Sequence, residues 1–258
     1  MTLSRYLEIK KKTFNFSKSA LTLYAEFFML LDHIALMLIK NGKLYGYDVK
    51  LYNNAIALPE ASIWLILYKT LRMVGRFSFP IFALLIVEGF RHTSNIIKYM
   101  LKISILAIIS EIPFDLMVYN RVVCFDGQNV LFSYFLGLIL LIIFKRTYTI
   151  HIFFHLILTI IFAIIAYMLR LDYAVETMLL MFVYYKFRHD INVKCVLTMI
   201  IMFLSSLQNY YGFGVFSVFF IYFYNEQLGY PWFRKIQYLF YPLHMLFLYG
   251  LVYFSYYK

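Results

Sequence analysis

The chain has 258 residues, 63% of them apolar and 14% charged, with a mean hydropathy of +0.74. Soluble domains are nearer half apolar and about a quarter charged, so a soluble enzyme, a disordered chain, a nucleic-acid-binding module and a secreted disulfide scaffold all fit poorly. The formal net charge of +11 is better explained by the Lys and Arg enrichment of cytoplasmic loops than by a nucleic-acid partner.

The fold class this implies is all-α: a polytopic helical protein of the lipid bilayer, one domain over 1–258. Residues 1–20 form a basic cytoplasmic amino terminus, and no small-residue cleavage site closes the apolar run after them. Apolar runs near 21–40, 72–90, 97–118, 129–144, 150–169, 173–187, 193–208, 212–225 and 236–256 predict about nine transmembrane helices with the amino terminus inside. Fifteen basic residues then fall inside and eight outside; Lys69 and Arg72 count as outer, and Arg76 lies within the second span. Several runs are shorter than the roughly 20 residues a span needs, so neighbouring polar residues must be drawn in. The 41–71 segment is an expected outer loop, long enough to hold a short interfacial helix. Cys124 and Cys195 fall on opposite sides and should not pair, and no Cys/His spacing suggests a zinc site.

Ionisable side chains at membrane depth cost at least a few kcal/mol, so each needs a partner, a wet cavity or a task. The first span holds Asp32 and His33, whose side chains point about 100° apart, with Glu26 on the His33 face. His33 is either a general base or a buried histidine bonded to a neighbouring helix. In the second span, Pro80 removes the donor for the Arg76 carbonyl and predicts a kink, while Gly75 and Gly89 permit close packing. Glu88, Arg91 and His92 follow at its inner end, the last two readable as an inner-loop charge cluster. Glu111 and Asp115 lie four apart in the third span, sharing a face if the helix survives Pro113. An Arg76–Glu111 ion pair is the plain reading there, and a catalytic Glu111 serving His33 the sharper one. Gln237, Tyr241 and His244 recur at i, i+4 and i+7 as one polar stripe on the last span, beside Pro242. His151 and His155 are expected at an interface and His189 in a loop.

LLDHIA at 30–35, GRFSFPIFALLIVEGFRHT at 75–93, the Tyr99 to Lys102 stretch, SEIPFDL at 110–116, NVLFSYFLGL at 129–138, LDYA at 171–174 and LFYPLHML at 239–246 together resemble the TraX family of bacterial membrane proteins, associated with amino-terminal acetylation of pilin. The resemblance runs in order through nearly the whole chain. It departs at LDYA, where a glycine would follow the tyrosine. It implies an acetyltransferase of the bacterial cytoplasmic membrane that moves acetyl from cytoplasmic acetyl-CoA to a pilin-like or other small exported peptide. In that setting His33 would be the base, oriented by Asp32 or Glu111, and Arg76 or Asn129 would stabilise the oxyanion. Arg91, His92, Lys98 and Lys102 would meet the coenzyme A phosphates, with Glu88, Tyr241 and His244 completing the binding positions. The alternatives are a non-catalytic assembly component, a small transporter, or an O-acyltransferase of an envelope glycan or lipid.

Overall fold

The computed structural model describes residues 14–230 and 234–257, without the side chains of 234–236. Arg5, Lys10, Lys11, Lys12 and Lys258 lie outside the described residues, as do the side chains of Arg234 and Lys235. What is described is all-helical. Helix α1 (Lys18–Ile34) passes into a π-helical stretch, Ala35–Lys43. Then come α2 (Val49–Ile56), α3 (Ala61–Gly75), α4 (Ser78–His92), α5 (Ile96–Tyr119), α6 (Val130–Arg146), α7 (Ile152–Met168), α8 (Ala174–Lys186) and α9 (Ile191–Tyr210). A 3₁₀ turn at Phe213–Ser217 leads into α10 (Val218–Tyr222), and α11 (Arg234–Val252) ends in a π turn, Tyr253–Tyr257.

The helices begin where short polar side chains can take orphan backbone donors. Ser17 accepts from the Ala20 N–H, Asn95 from Lys98, Asn129 from Leu131, and Asp190 from Asn192 and Val193. Pro113 sits inside α5 without ending it, so Glu111 and Asp115 do share one helix.

Four helical stretches are long and apolar enough to cross a bilayer: Lys18–Lys43, Ala61–His92, Ile191–Tyr210 and Gln237–Tyr257. Between bilayer-facing elements the outer faces are bare hydrocarbon, as in Ile105, Ile108, Ile109 and Ile112 on α5 and Ile157, Ile160, Ile161 and Ile164 on α7. The 212–225 run is no full-length span: it folds as two five-residue helical segments that double back along α9.

The 41–71 segment is not a loop either. It contains α2 and α3, and α3 continues into α4, so the second long stretch starts at Ala61 rather than residue 72. The break between them falls at Arg76 and Phe77, whose N–H groups reach back only three residues, to Met73 and Val74. Pro80 is the cause, since it has no N–H for the Arg76 carbonyl. This correction moves Lys69 and Arg72 out of the outer loop and into the body of a helix.

Helix α1 runs antiparallel to the whole α3–α4 rod. Ile39 and Leu44 pack with Ala61, Trp64 and Leu65 at one end, and Phe28 meets Phe77 near the break. Gly75 makes the close approach possible, because a Cβ there would stand 2.5 Å from the Asp32 Cβ. Gly75→Ala should therefore destabilise the fold by about 1–3 kcal/mol through overpacking. A lowered thermal midpoint of the purified protein would register it; an unchanged midpoint would show that the two helices can part freely. The main core lies beside this pair, with Leu21, Ile81, Leu138, Leu141 and Tyr184 fully enclosed, and a second cluster of Met37, Phe114, Met117 and Met245 fills the other end.

Candidate active site

We call the end where α1 begins proximal and the end where the 35–43 stretch finishes distal. Phe16 pairs with Tyr224 in a parallel bridge at the proximal end, which ties the segment before α11 to the start of α1. Helices α5 and α11 run parallel to α1, with Tyr249 donating to the Asn120 side chain at the distal end. A cavity of about 200 Å³ opens among α1, α4, α5, α6 and α11. Its walls are mostly apolar, from Met29, Leu85, Ile103 and Leu131, with Glu26, Tyr134, Gln237 and Tyr241 among the polar exceptions. The Gln237 amide nitrogen is buried and without a hydrogen-bond partner.

Met29 and Phe240 line the cavity, and His33 and His244 lie one helical turn beyond them. The two imidazoles stack, with centroids 4.9 Å apart and planes 6° from parallel, and His33 Nδ1 lies 2.6 Å from His244 Nε2. His244 Nδ1 lies 2.6 Å from the Phe240 carbonyl oxygen. A carbonyl only accepts, so His244 Nδ1 carries the proton and its Nε2, in the neutral ring, has a lone pair. His33 Nδ1–H must then donate to that lone pair, and His33 Nε2 is left unprotonated with no hydrogen bond among the described residues. The relay thus leaves an unprotonated nitrogen on His33, in a tautomer fixed by His244 rather than by Asp32 or Glu111.

Asp32, one residue away, points to another neighbour. Its carboxylate accepts from Arg72 Nη1 and, at 2.9 Å, from Arg76 Nη2. Arg76 also donates to the Tyr173 hydroxyl and lies over the Tyr210 ring, 4.6 Å from its centroid. Arg72 Nε donates to the Tyr210 hydroxyl at 3.3 Å. The Arg76–Glu111 ion pair is therefore not formed. Arg76 is taken by Asp32, and Glu111 accepts from the backbone N–H and side-chain amide of Asn129. Asp115, its helix mate, accepts from the Cys124 N–H at 2.8 Å. Asn129 is buried, caps α6 and also donates to the Ala107 carbonyl, so it is fully occupied in structure.

Helices α6, α7 and α8 have 17, 17 and 13 residues, about 26 Å or less at 1.5 Å per residue. Their distal connections are accordingly recessed. Gln128 and Leu171 form a parallel bridge, with the Gln128 N–H donating to the Arg170 carbonyl at 3.0 Å and the Asp172 N–H to the Gln128 carbonyl at 2.9 Å. Irregular backbone is tolerated at such depth when protein encloses it or it lines a wet cavity. Ser133 donates to the Asp172 carbonyl, and Tyr173 stacks on Phe79 with centroids 4.0 Å apart. Tyr173 has φ 52°, left-handed backbone that costs a non-glycine residue about 1–2 kcal/mol.

At the proximal end Glu88 is buried and holds both its neighbours, accepting from Arg91 Nη1 at 2.6 Å and lying 3.2 Å from His92 Nε2. The expected inner cluster is real, yet its carboxylate and guanidinium are already paired with each other. Lys98 and Lys102 are exposed nearby on α5. His155, expected at an interface, is instead enclosed, edge-on to Phe144 and bonded to Thr147 at 3.0 Å. Cys124 and Cys195 are both free thiols. The structure thus keeps Asp32 with Arg76, joins His33 to His244, which the sequence placed among the binding positions, adds Arg72, Tyr173 and Tyr210 to the cluster, and separates Glu111, which stays with Asn129.

No curated protein and no solved structure shows a significant match to the chain. The family model described as TraX protein matches residues 17–252, nearly the whole length. The chain belongs to the TraX family.

Proposed function

We propose that the protein is a membrane-bound N-acetyltransferase that uses cytoplasmic acetyl-CoA and modifies the amino terminus of a pilin-like or other small exported peptide. The observation that carries this reading is the His33 Nε2 lone pair, held by a two-histidine relay one helical turn beyond Met29 and Phe240 in the wall of a largely apolar cavity. In this reading the chain lies in a bacterial cytoplasmic membrane with its amino terminus inside. The proximal mouth then faces the cytoplasm, and the donor's slender arm enters there with its thioester towards His33.

The chemistry follows from the groups available. A neutral amine attacks the thioester carbonyl, a C–N bond forms and the C–S bond breaks. His33 Nε2 takes a proton from the attacking nitrogen, and the departing thiolate takes one up in turn. A guanidinium of the Asp32–Arg72–Arg76 group offers the developing oxyanion a positive field in a site from which water is largely excluded. The cluster carries one more cation than anion, which suits that role.

A second reading has its own observation. Asp32 is satisfied by two arginines and Glu88 by Arg91 and His92, as expected of a purely structural component. Purified protein reconstituted in lipid, given radiolabelled acetyl-CoA and peptides with free amino termini, separates the two. The enzyme reading expects label on the peptide nitrogen; absence of both acetyl transfer and acetyl-CoA binding would leave the structural reading standing. Label on a hydroxyl of a glycan or lipid would instead make the protein an O-acyltransferase.

A further inference from the structure

Turning an ammonium group into an amide removes two protons from nitrogen, one before attack and one with it. His33 offers one basic nitrogen. Carboxylates inside the bundle are the natural source of a second acceptor, and most are occupied. Asp32 holds two arginines, Glu88 holds Arg91 and His92, and Glu176 accepts from Ser205, while Glu111 holds Asn129 and Asp115 the Cys124 N–H through one oxygen each, the other oxygen being buried without a partner. Two remain that make no hydrogen bond or ion pair among the described residues, Glu26 and Asp172. Glu26 lies on the cavity wall seven residues before His33, about 10 Å along the helix axis. Asp172 lies at the distal layer.

We infer that Asp172 is the carboxylate that receives the ammonium group of the acceptor, at the junction of the cavity with the arginine cluster. The inference rests on the N-acetyltransferase reading for the nature of the acceptor. Three features carry it. The Asp172 backbone is held rigidly, its N–H on Gln128 and its carbonyl on Ser133, while its side chain is left free. Contacts of its neighbours place it: Ser133, which holds its carbonyl, directly precedes the cavity residue Tyr134, and Tyr173, the next residue along, accepts from Arg76. A carboxylate with no hydrogen bond or ion pair among the described residues suits an ammonium group, which needs an anion.

The surroundings also promote the chemistry. Arg76 and Arg72 repel a cationic guest and so offset part of the stabilisation that the Asp172 carboxylate gives the bound ammonium. That N–H bond breaks, an O–H bond forms on Asp172, and a neutral amine is left to attack. Burial pushes the Asp172 carboxyl up to about 6, against the pull of Arg76 and Arg72. It is therefore ionised at neutral pH and able to hold a cation, yet basic enough to take a proton. The charged and titratable groups around it are Asp32 on α1, Arg72 and Arg76 at the α3–α4 break, Tyr119 on α5, Tyr134 on α6, Tyr173 and Glu176 around the start of α8, and Tyr241 on α11.

The test uses the full chain in lipid nanodiscs and two probes, an alanine-rich peptide amide with a free amino terminus and its N-formylated copy. The wild type should bind the free amine at least tenfold more tightly, and this preference should fade as pH falls below about 6. Asp172→Asn, nearly identical in shape, should abolish the preference and leave acetyl-CoA affinity within twofold. No preference in the wild type, or a preference that survives Asp172→Asn, overturns the inference. So does a parallel loss of acetyl-CoA affinity in the variant, which would mean a merely structural role. If the enzyme reading fails instead, the wild type shows the amine preference but neither binds acetyl-CoA nor transfers acetyl.

Discussion

His33→Ala is expected to lower acetyl transfer by about 10²–10⁴-fold, the range for losing a positioned general base. The protein should keep its thermal midpoint and its acetyl-CoA affinity, since among the described residues His33 makes no ion pair and hydrogen-bonds only to His244. His244→Ala should act differently. Without an acceptor for His33 Nδ1–H, the His33 ring is free to carry its proton on Nε2, and the nitrogen that must be basic is then protonated for much of the time. Losses of about 10–100-fold follow when a partner that fixes a histidine tautomer is removed. The loss should fall on kcat, with KM for both substrates little changed. A well-folded His33→Ala enzyme with wild-type transfer would take His33 out of the mechanism. A greater loss from His244→Ala than from His33→Ala would place the base on α11, with His33 as the positioning group.

That relay was half visible in the sequence. His33 and His244 each stand out as ionisable groups in apolar runs, and the Gln237, Tyr241 and His244 stripe marks the face of α11 that turns inward. Their meeting, 211 positions apart in the chain, depends on α1 and α11 lying side by side, which no local pattern encodes. The arginine cluster shows a different limit. Lys69, Thr70 and Arg72 make 61–75 too polar to read as a span on its own. Only when α3 continues into α4 does Arg72 reach membrane depth, and once there it and Arg76 compete for Asp32 and leave Glu111 to Asn129.

Asp172 was missed because loop charges normally meet water. The available signal was length: apolar runs too short for a bilayer imply that their connections dip inward, and loop residues then become buried polar groups. The π-helical stretch that starts two residues after His33 had no signature in the sequence either. Such stretches are rare and frequently sit at functional positions.

The largest stability effect is expected at Asp32. Asp32→Ala leaves Arg72 and Arg76 facing each other without an anion in a buried setting, and breaking a buried pair by removing one partner costs about 3–5 kcal/mol. The side chains of all three residues are at most 16% exposed, so solvent offers little relief. Loss of the folded protein in mild detergent, or a much lower thermal midpoint, would register this. Arg72→Met or Arg76→Met should cost less, because Asp32 keeps one guanidinium. The informative variant is the triple Asp32→Leu, Arg72→Met, Arg76→Met. Replacing a whole buried ionic group by apolar side chains of similar volume is often neutral or stabilising, so the triple variant should recover most of the stability that Asp32→Ala loses. It should not recover acetyl transfer, because the positive field available to the oxyanion is gone. Recovery of both would make the cluster dispensable to the chemistry, and the oxyanion would then need another donor. Recovery of neither would mean that the Tyr173 and Tyr210 hydroxyls, stripped of their guanidinium partners, carry a desolvation cost as large as the charges themselves.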